Sequence, residues 1–273
     1  MKFDFTKNEF IGEFLGTFIL VFFGTGSVAV SVLYNAHQGL FQIGIVWGIA
    51  VTLAIYMGRH LCCAHYNPAV SVAMVLAKRM SIKKLPNYLI AQFLGAFFAG
   101  VFVYVLFHSQ IAYFEISHNI ARGSFESVNT AKMFGEYYIQ PGNDFKIGIG
   151  LAFFAEFLGT FILVLTIFLL TESCNVGKPD EKLAPLFIGL TVTSVICLIA
   201  PLTQAGLNPA RDFGPRVVSI IFGWGQWAFP DNVGGFFWVY ILAPIIGGVI
   251  AALIFTKIFE PAMNRKKSNS CCC

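Results

Sequence analysis

Two short polar stretches hold the residues best suited to chemistry: Asn67-Pro68-Ala69-Val70 and Asn208-Pro209-Ala210-Arg211-Asp212-Phe213-Gly214-Pro215-Arg216. In each, Asn stands in a helix-capping slot. Pro follows at the first helical position, where its missing N–H would have no partner anyway. Such a helix start presents unpaired N–H groups and a partial positive charge. Two of these ends meeting inside a membrane protein would build a polar spot in an apolar passage. There the amides of Asn67 and Asn208 donate to a solute oxygen, while the paired positive ends oppose cations and protons. That chemistry is recognition and exclusion. The spans carry no Ser/His pair and no His/Glu metal constellation, so neither an enzyme nor a bound cofactor or metal is expected. One Asn-Pro-Ala is most often an ordinary helix cap; a matched pair in a repeat is far more specific.

The elements around these stretches are those of a membrane protein. Hydrophobic residues make up 57% of the 273, charged residues 12%, and mean hydropathy is +0.73. A soluble domain carries about 25% charged residues. The net charge of +4 does not indicate nucleic acid, because the basic residues sit mostly beside apolar spans. Long apolar runs at 10–33, 39–57, 85–106, 147–170, 186–202 and 236–259 each suffice to cross a bilayer. Runs opening at Asn67 and Asn208 are too short to cross and fade near residues 77 and 222. The first long run has the length of a retained helix rather than a cleaved signal. The expected fold class is therefore all-α, with six transmembrane helices and two re-entrant half-helices. Seven cysteines show no Cys-x-x-Cys spacing, so no metal or disulfide framework is indicated. The terminal triplet Cys271, Cys272 and Cys273 is a palmitoylation target, a cloning remnant or without function.

The halves repeat. Glu13-Phe-Leu-Gly-Thr-Phe-Ile-Leu-Val21 recurs letter for letter from Glu156 to Val164, an offset of 143, and the Asn-Pro-Ala triplets are offset by 141. Three spans per half is an odd number, so the second half enters from the opposite side. That makes an inverted repeat, whose sites sit near the midplane at the junction of the halves. The expected organisation is one channel domain over residues 1–260. It comprises repeats of about 8–107 and 147–259, a long extracellular connection at 108–146, and a basic, Cys-containing cytoplasmic tail at 261–273. With the N-terminus inside, thirteen Lys and Arg fall on the cytoplasmic side and five outside. This bias predicts a multi-pass protein of the plasma (inner) membrane with both termini cytoplasmic.

Irregular backbone at membrane depth is tolerated only where protein buries it or water reaches it. The runs before each Asn are therefore expected to line a narrow aqueous path with backbone carbonyls, from Cys63, Ala64, His65 and Tyr66 on one side and Gln204 and Gly206 on the other.

On these motifs the chain resembles the aquaporin and aquaglyceroporin family over residues 8–260. The resemblance rests on Ala64-His65-Tyr66-Asn67-Pro68-Ala69-Val70, on Asn208 to Pro215 and on the Glu13 and Glu156 segments. It implies an aquaporin-like fold with one pore per subunit, usually in a homotetramer, passing water and small neutral solutes. Asp212 and Arg216 resemble the glycerol-conducting branch, whereas Tyr240 and Ile241 depart from that branch's usual Pro plus aliphatic. By motif position the family's narrow filter falls on Trp47, Ile196, Ala205 and Arg211. Water-selective members carry Phe, His, Cys and Arg there, and bacterial glycerol facilitators Trp, Gly, Phe and Arg. The set here looks most like the plant nodulin-type channels. Trp47 would offer an apolar wall to a carbon backbone, and Arg211 fixed donors to hydroxyls. The family also implies that buried glutamates such as Glu13 and Glu156 hold the re-entrant loops by hydrogen bonds.

Plainer roles stand beside these. Trp47 also suits an interfacial packing aromatic, and Ile196 and Ala205 are ordinary core residues unless the resemblance holds. His65 suits loop packing better than proton chemistry, and buried Glu13, Glu156 and Asp212 read as structural. The leading expectation is a passive channel for glycerol and other small uncharged solutes, and for water, with ions excluded. Alternatives are a predominantly water channel, a channel for urea, undissociated lactic acid or metalloid hydroxides, and an ion-coupled transporter, since transporters also use inverted repeats.

Overall fold

A computed structural model describes residues 6–142, 144–231 and 234–269. The Cys271–Cys273 triplet lies outside the described residues, as does Lys2. Six helices are long and apolar enough to cross a membrane. The first half contains α1 (Lys7–Tyr34), α2 (Leu40–Gly58), the short α3 (Pro68–Leu76) and α4 (Leu85–Ser117). A single turn, α5 (Val128–Ala131), lies in the connection. The second half contains α6 (Ile149–Thr171), α7 (Ala184–Thr203), the short α8 (Pro209–Ser219) and α9 (Ala243–Ile254), and α10 (Glu260–Asn269) follows. Every regular element among the described residues is helical.

The packing shows the repeat. α1 lies on α4 as α6 lies on α9, and α2 on α7 joins the halves. α4 meets the backbone of α1 at Gly95, where an added Cβ would stand 2.4 Å from the Phe14 carbonyl oxygen. α9 meets α6 at Gly247, where a Cβ would stand 2.4 Å from the Phe157 carbonyl oxygen. Phe14 and Phe157 are equivalent residues of the two repeats, so each half brings its first and last spans together by the same small-residue contact.

Polarity is inverted relative to a soluble domain. Glu13, Gln92, Glu156, Asp212 and Arg216 are fully buried, while Leu53, Phe102, Val105, Leu198 and Ile221 stand outward. That arrangement suits a lipid surround, in which only internal partners satisfy polar groups.

Three boundaries differ from expectation. α4 runs to Ser117 rather than ending near 106, because Ile111 and Glu115 keep a buried face as the helix continues. The rest of the connection is packed rather than loose: Glu115 accepts from Arg122 and Thr130, and Met133, Phe134 and Tyr137 are buried. The sixth span is not one regular α-helix, since π-helical turns at Phe237–Leu242 and Phe255–Phe259 flank α9. The tail after residue 260 opens as α10, and Arg79 bridges to Glu172 and to Glu260 at its start.

Candidate pore and filter

Asn67 caps α3, its side-chain oxygen accepting from the Ala69 N–H at 2.9 Å. Asn208 caps α8, accepting from Ala210 at 3.0 Å and Arg211 at 3.2 Å. Each amide also has a donor, and the two donors cross. Asn67 Nδ2 donates to the Leu207 carbonyl at 3.0 Å, and Asn208 Nδ2 donates to the Tyr66 carbonyl at 2.8 Å. The half-helices therefore meet start to start, each Asn bonded to the residue preceding the other.

The backbone before each cap follows one pattern. Ala64 and Tyr66 have φ of 56° and 52°, and Ala205 and Leu207 have 64° and 57°. Left-handed non-glycine residues cost about 1–3 kcal/mol each and persist where surroundings dictate them. Here the surroundings are the two buried glutamates. Glu13 accepts from the His65 and Tyr66 N–H groups, both at 2.8 Å, and from Gln92 Nε2. Glu156 accepts from the Gly206 and Leu207 N–H groups at 2.8 and 2.7 Å. His65 is occupied by packing: its Nδ1 lies 3.1 Å from Ser71 Oγ and its ring 5.0 Å from that of Tyr88.

A cavity of about 410 Å³ runs past this seam. Its walls include Cys63, Ala64, His65, Tyr66 and Asn67 from one loop and Ala205, Gly206, Leu207 and Asn208 from the other. Trp47, Ile196, Ala205 and Arg211 all belong to its lining, so Trp47 of the first half shares one space with three residues of the second. Thr171 lines it at the last residue of α6, and Arg59 and Glu181 line it beyond the ends of α2 and α6. Pro68, Ala69, Pro209 and Ala210 are buried at the half-helix starts, outside that lining.

Two of the expected carbonyl positions have further roles. Gln204 is not in the cavity wall; it ends α7 in a left-handed cap, and its side chain accepts from the Tyr137 N–H. Tyr66 lines the cavity, and its carbonyl accepts from the Asn208 amide with one of its two lone pairs. Tyr240, the departure from the glycerol-branch pattern, is buried and donates its hydroxyl to the Thr203 carbonyl at 2.9 Å, bracing the turn out of α7.

The Arg211 guanidinium lies 4.1 Å from the Trp47 ring and forms an ion pair with Glu136. Sequence reasoning missed Glu136, which sits in a connection that is polar as a whole. A signal was present in the apolar run around it, Met133-Phe134-Gly135-Glu136-Tyr137-Tyr138, because a carboxylate among such neighbours is a buried one needing a partner. Asp212 and Arg216, one turn apart on α8, bridge at 2.7 Å and hold this segment. Asp212 accepts from the Glu136 N–H at 2.7 Å, and Arg216 donates to the Glu136 carbonyl at 2.7 Å.

Known proteins are similar to this chain in architecture and sequence. Residues 1–255 match the family described as Major intrinsic protein. The chain is 43% identical to a glycerol uptake facilitator protein of Pseudomonas aeruginosa over 90% of its own length and 86% of the relative's. It is 40% identical to one of Haemophilus influenzae over 98% of both chains. Its structure matches that of an aquaglyceroporin from Plasmodium falciparum with a TM-score of 0.80 and 31% identity, covering 94% of this chain and 98% of that one. With its inverted halves, its two capped half-helices meeting at a seam, and a match that takes in both, the chain belongs to the major intrinsic protein family.

Proposed function

We propose that the protein is a passive transmembrane channel for glycerol and other small uncharged solutes, and for water, that excludes ions and protons. The observation that carries this reading is the crossed Asn67–Asn208 seam beside a cavity walled by both loops. Each Asn amide has two N–H groups, one of which is engaged across the seam, leaving the other to offer a solute oxygen. Two helix starts facing each other oppose a cation and leave a neutral molecule unaffected. The carbonyls of Cys63, Ala64, His65 and Gly206 act as acceptors along the path, with Glu13 and Glu156 holding the loops that present them.

Trp47, Ile196, Ala205 and Arg211 form the selecting constriction in this reading. A polyol would lay its carbon backbone on Trp47 and give its hydroxyl oxygens to Arg211. The relatives named glycerol uptake facilitators support glycerol as the principal solute. We also assign the chain to the plasma membrane, with both termini cytoplasmic and four copies assembling as a homotetramer.

Purified protein in liposomes tests the reading by stopped-flow light scattering. Vesicles should shrink and then reswell in a glycerol gradient, at a rate independent of any imposed ion or proton gradient. Flux that tracks an ion gradient would instead identify a coupled transporter.

A further inference from the structure

The turn between α3 and α4 forms an open pocket of about 540 Å³, lined by Val75, Lys78, Arg79, Met80, Ser81 and Ile82. It lies where several spans reach one face of the membrane. α3 ends there, α4 begins at Leu85, and Lys84 ties the turn to Glu9 in the first turn of α1 at 2.8 Å. Arg79 ties it to Glu172, just past the end of α6, and to Glu260 at the start of α10.

Three side chains of this pocket have donors to spare. Arg79 spends Nη2 on both carboxylates, at 2.6 and 2.9 Å, which leaves Nε and Nη1 without a bond among the described residues. Ser81 Oγ accepts from the Lys83 N–H at 3.3 Å, and its own proton has no acceptor among the described residues. The exposed Lys78 ammonium likewise makes no bond among them. Carbonyls at the end of α3, which would repel an anion, are already taken. Ala73 accepts from Ala77, Val75 from Lys78, and Met74 from both Arg79 and Met80.

Apolar side chains stand beside these donors. Ile82 in the pocket wall is 54% exposed, and Leu76 on the adjoining end of α3 is 44% exposed. Arg79 and Lys84 are matched by carboxylates, so the excess positive charge of the turn is that of Lys78 and Lys83, both exposed. Cations and a hydroxyl next to outward apolar groups, at the level where spans enter the bilayer, suit a molecule with phosphate at one end and hydrocarbon at the other.

We propose that this pocket binds the headgroup of an anionic phospholipid, with its phosphate on Lys78, Arg79 and Ser81 and its acyl chains beside Ile82. A free phosphate would satisfy the donors but leave Ile82 and Leu76 facing water. The site adjoins the channel, because Arg79 also lines the large cavity. A cation at a helix C-terminus is favoured by the helix dipole alone, and on that account Lys78 needs no ligand. The two accounts differ in what replacing Lys78 does to lipid binding.

Native mass spectrometry of the full chain in detergent resolves successive bound lipids, with dioleoylphosphatidylglycerol and dioleoylphosphatidylcholine as probes. Phosphatidylglycerol should bind roughly fivefold tighter, the factor that one cation supplies at a membrane surface. Lys78→Asn, a residue at ease with the left-handed backbone there (φ 58°), should erase most of that preference, and Lys78→Arg should keep it. Lys178→Asn, which removes a lysine paired with Glu181 on the connection after α6, should also keep it. Equal binding of the two lipids overturns the proposal, as does a preference that survives Lys78→Asn. If Lys78→Asn is not recovered folded, Lys78→Gln decides by the same criterion. Excess inorganic phosphate at constant ionic strength should not displace the lipid; displacement would make the ligand a soluble phosphate and overturn the lipid assignment. The readout involves no flux, so this proposal and the channel reading stand or fall separately.

Discussion

Asn67 and Asn208 exchange donors: each side-chain amide is bonded to the carbonyl immediately preceding the other residue, at 3.0 and 2.8 Å. Each is also a helix cap, so one side chain closes its own helix and locks the opposite half. Asn208→Ala removes the cap and the cross-bond together and should destabilise the protein by about 1–3 kcal/mol. Asn208→Asp keeps the capping oxygen but turns an acceptor toward the Tyr66 carbonyl, and should lose at least as much. Thermal unfolding in detergent measures both, and an Asp variant as stable as wild type would show that the cap matters and the cross-bond does not.

Ala205 is the small member of the proposed constriction, 3% exposed and lining the same cavity as Arg211. Ala205→Phe fills that space with a ring. Glycerol permeability should fall roughly tenfold, equivalent to about 1.4 kcal/mol of added barrier, and water permeability should fall less. An unchanged glycerol-to-water ratio would place residue 205 outside the conducting path.

Removing the cation at the same point has a different effect. Arg211→Val takes away the fixed positive charge and leaves the Glu136 carboxyl buried without its partner. Leak of protons or small cations should rise, and quenching of a pH-sensitive dye trapped in liposomes reports it. A channel as tight as wild type would mean that the helix starts alone exclude charge.

Two glycines of α1 form an internal control. A Cβ at Gly16 would stand 2.0 Å from the Tyr66 ring, whereas one at Gly26 would meet nothing within 4 Å. Gly16→Ala should displace Tyr66 and the loop that Glu13 holds, costing about 1–3 kcal/mol or preventing insertion. Gly26→Ala should be neutral or slightly stabilising, because Ala is the better helix former. Melting temperatures in detergent distinguish the two, and equal effects would indicate that the contact at Tyr66 does not constrain the fold.

Much of this was legible in the residues. The letter-for-letter repeat from Glu13 and Glu156 gave the inverted halves, and Asn followed by Pro gave both half-helix starts, because capping and first-turn geometry are local properties of a few residues. The filter positions came from family resemblance, and the cavity contains all four. Contacts between distant segments were not legible. That Tyr66 spends its carbonyl on Asn208, or that Glu136 returns from the connection to Arg211, depends on how the chain folds back, and spacing along the sequence does not encode it. The extension of α4 to Ser117 was missed for a related reason: hydropathy falls there, but the helix continues on the strength of packing by Ile111 and Glu115.

The crossed amides also set a timetable for synthesis. Asn67 has to wait for Leu207, which the ribosome delivers 140 residues later, before its donor finds a mate. Until then the first half rests in the bilayer with an unfinished centre, its loop braced only from within that half, by Glu13, Ser71 and Tyr88. Contacts this remote are slow to form, so the seam closes only after the second half-helix has been made.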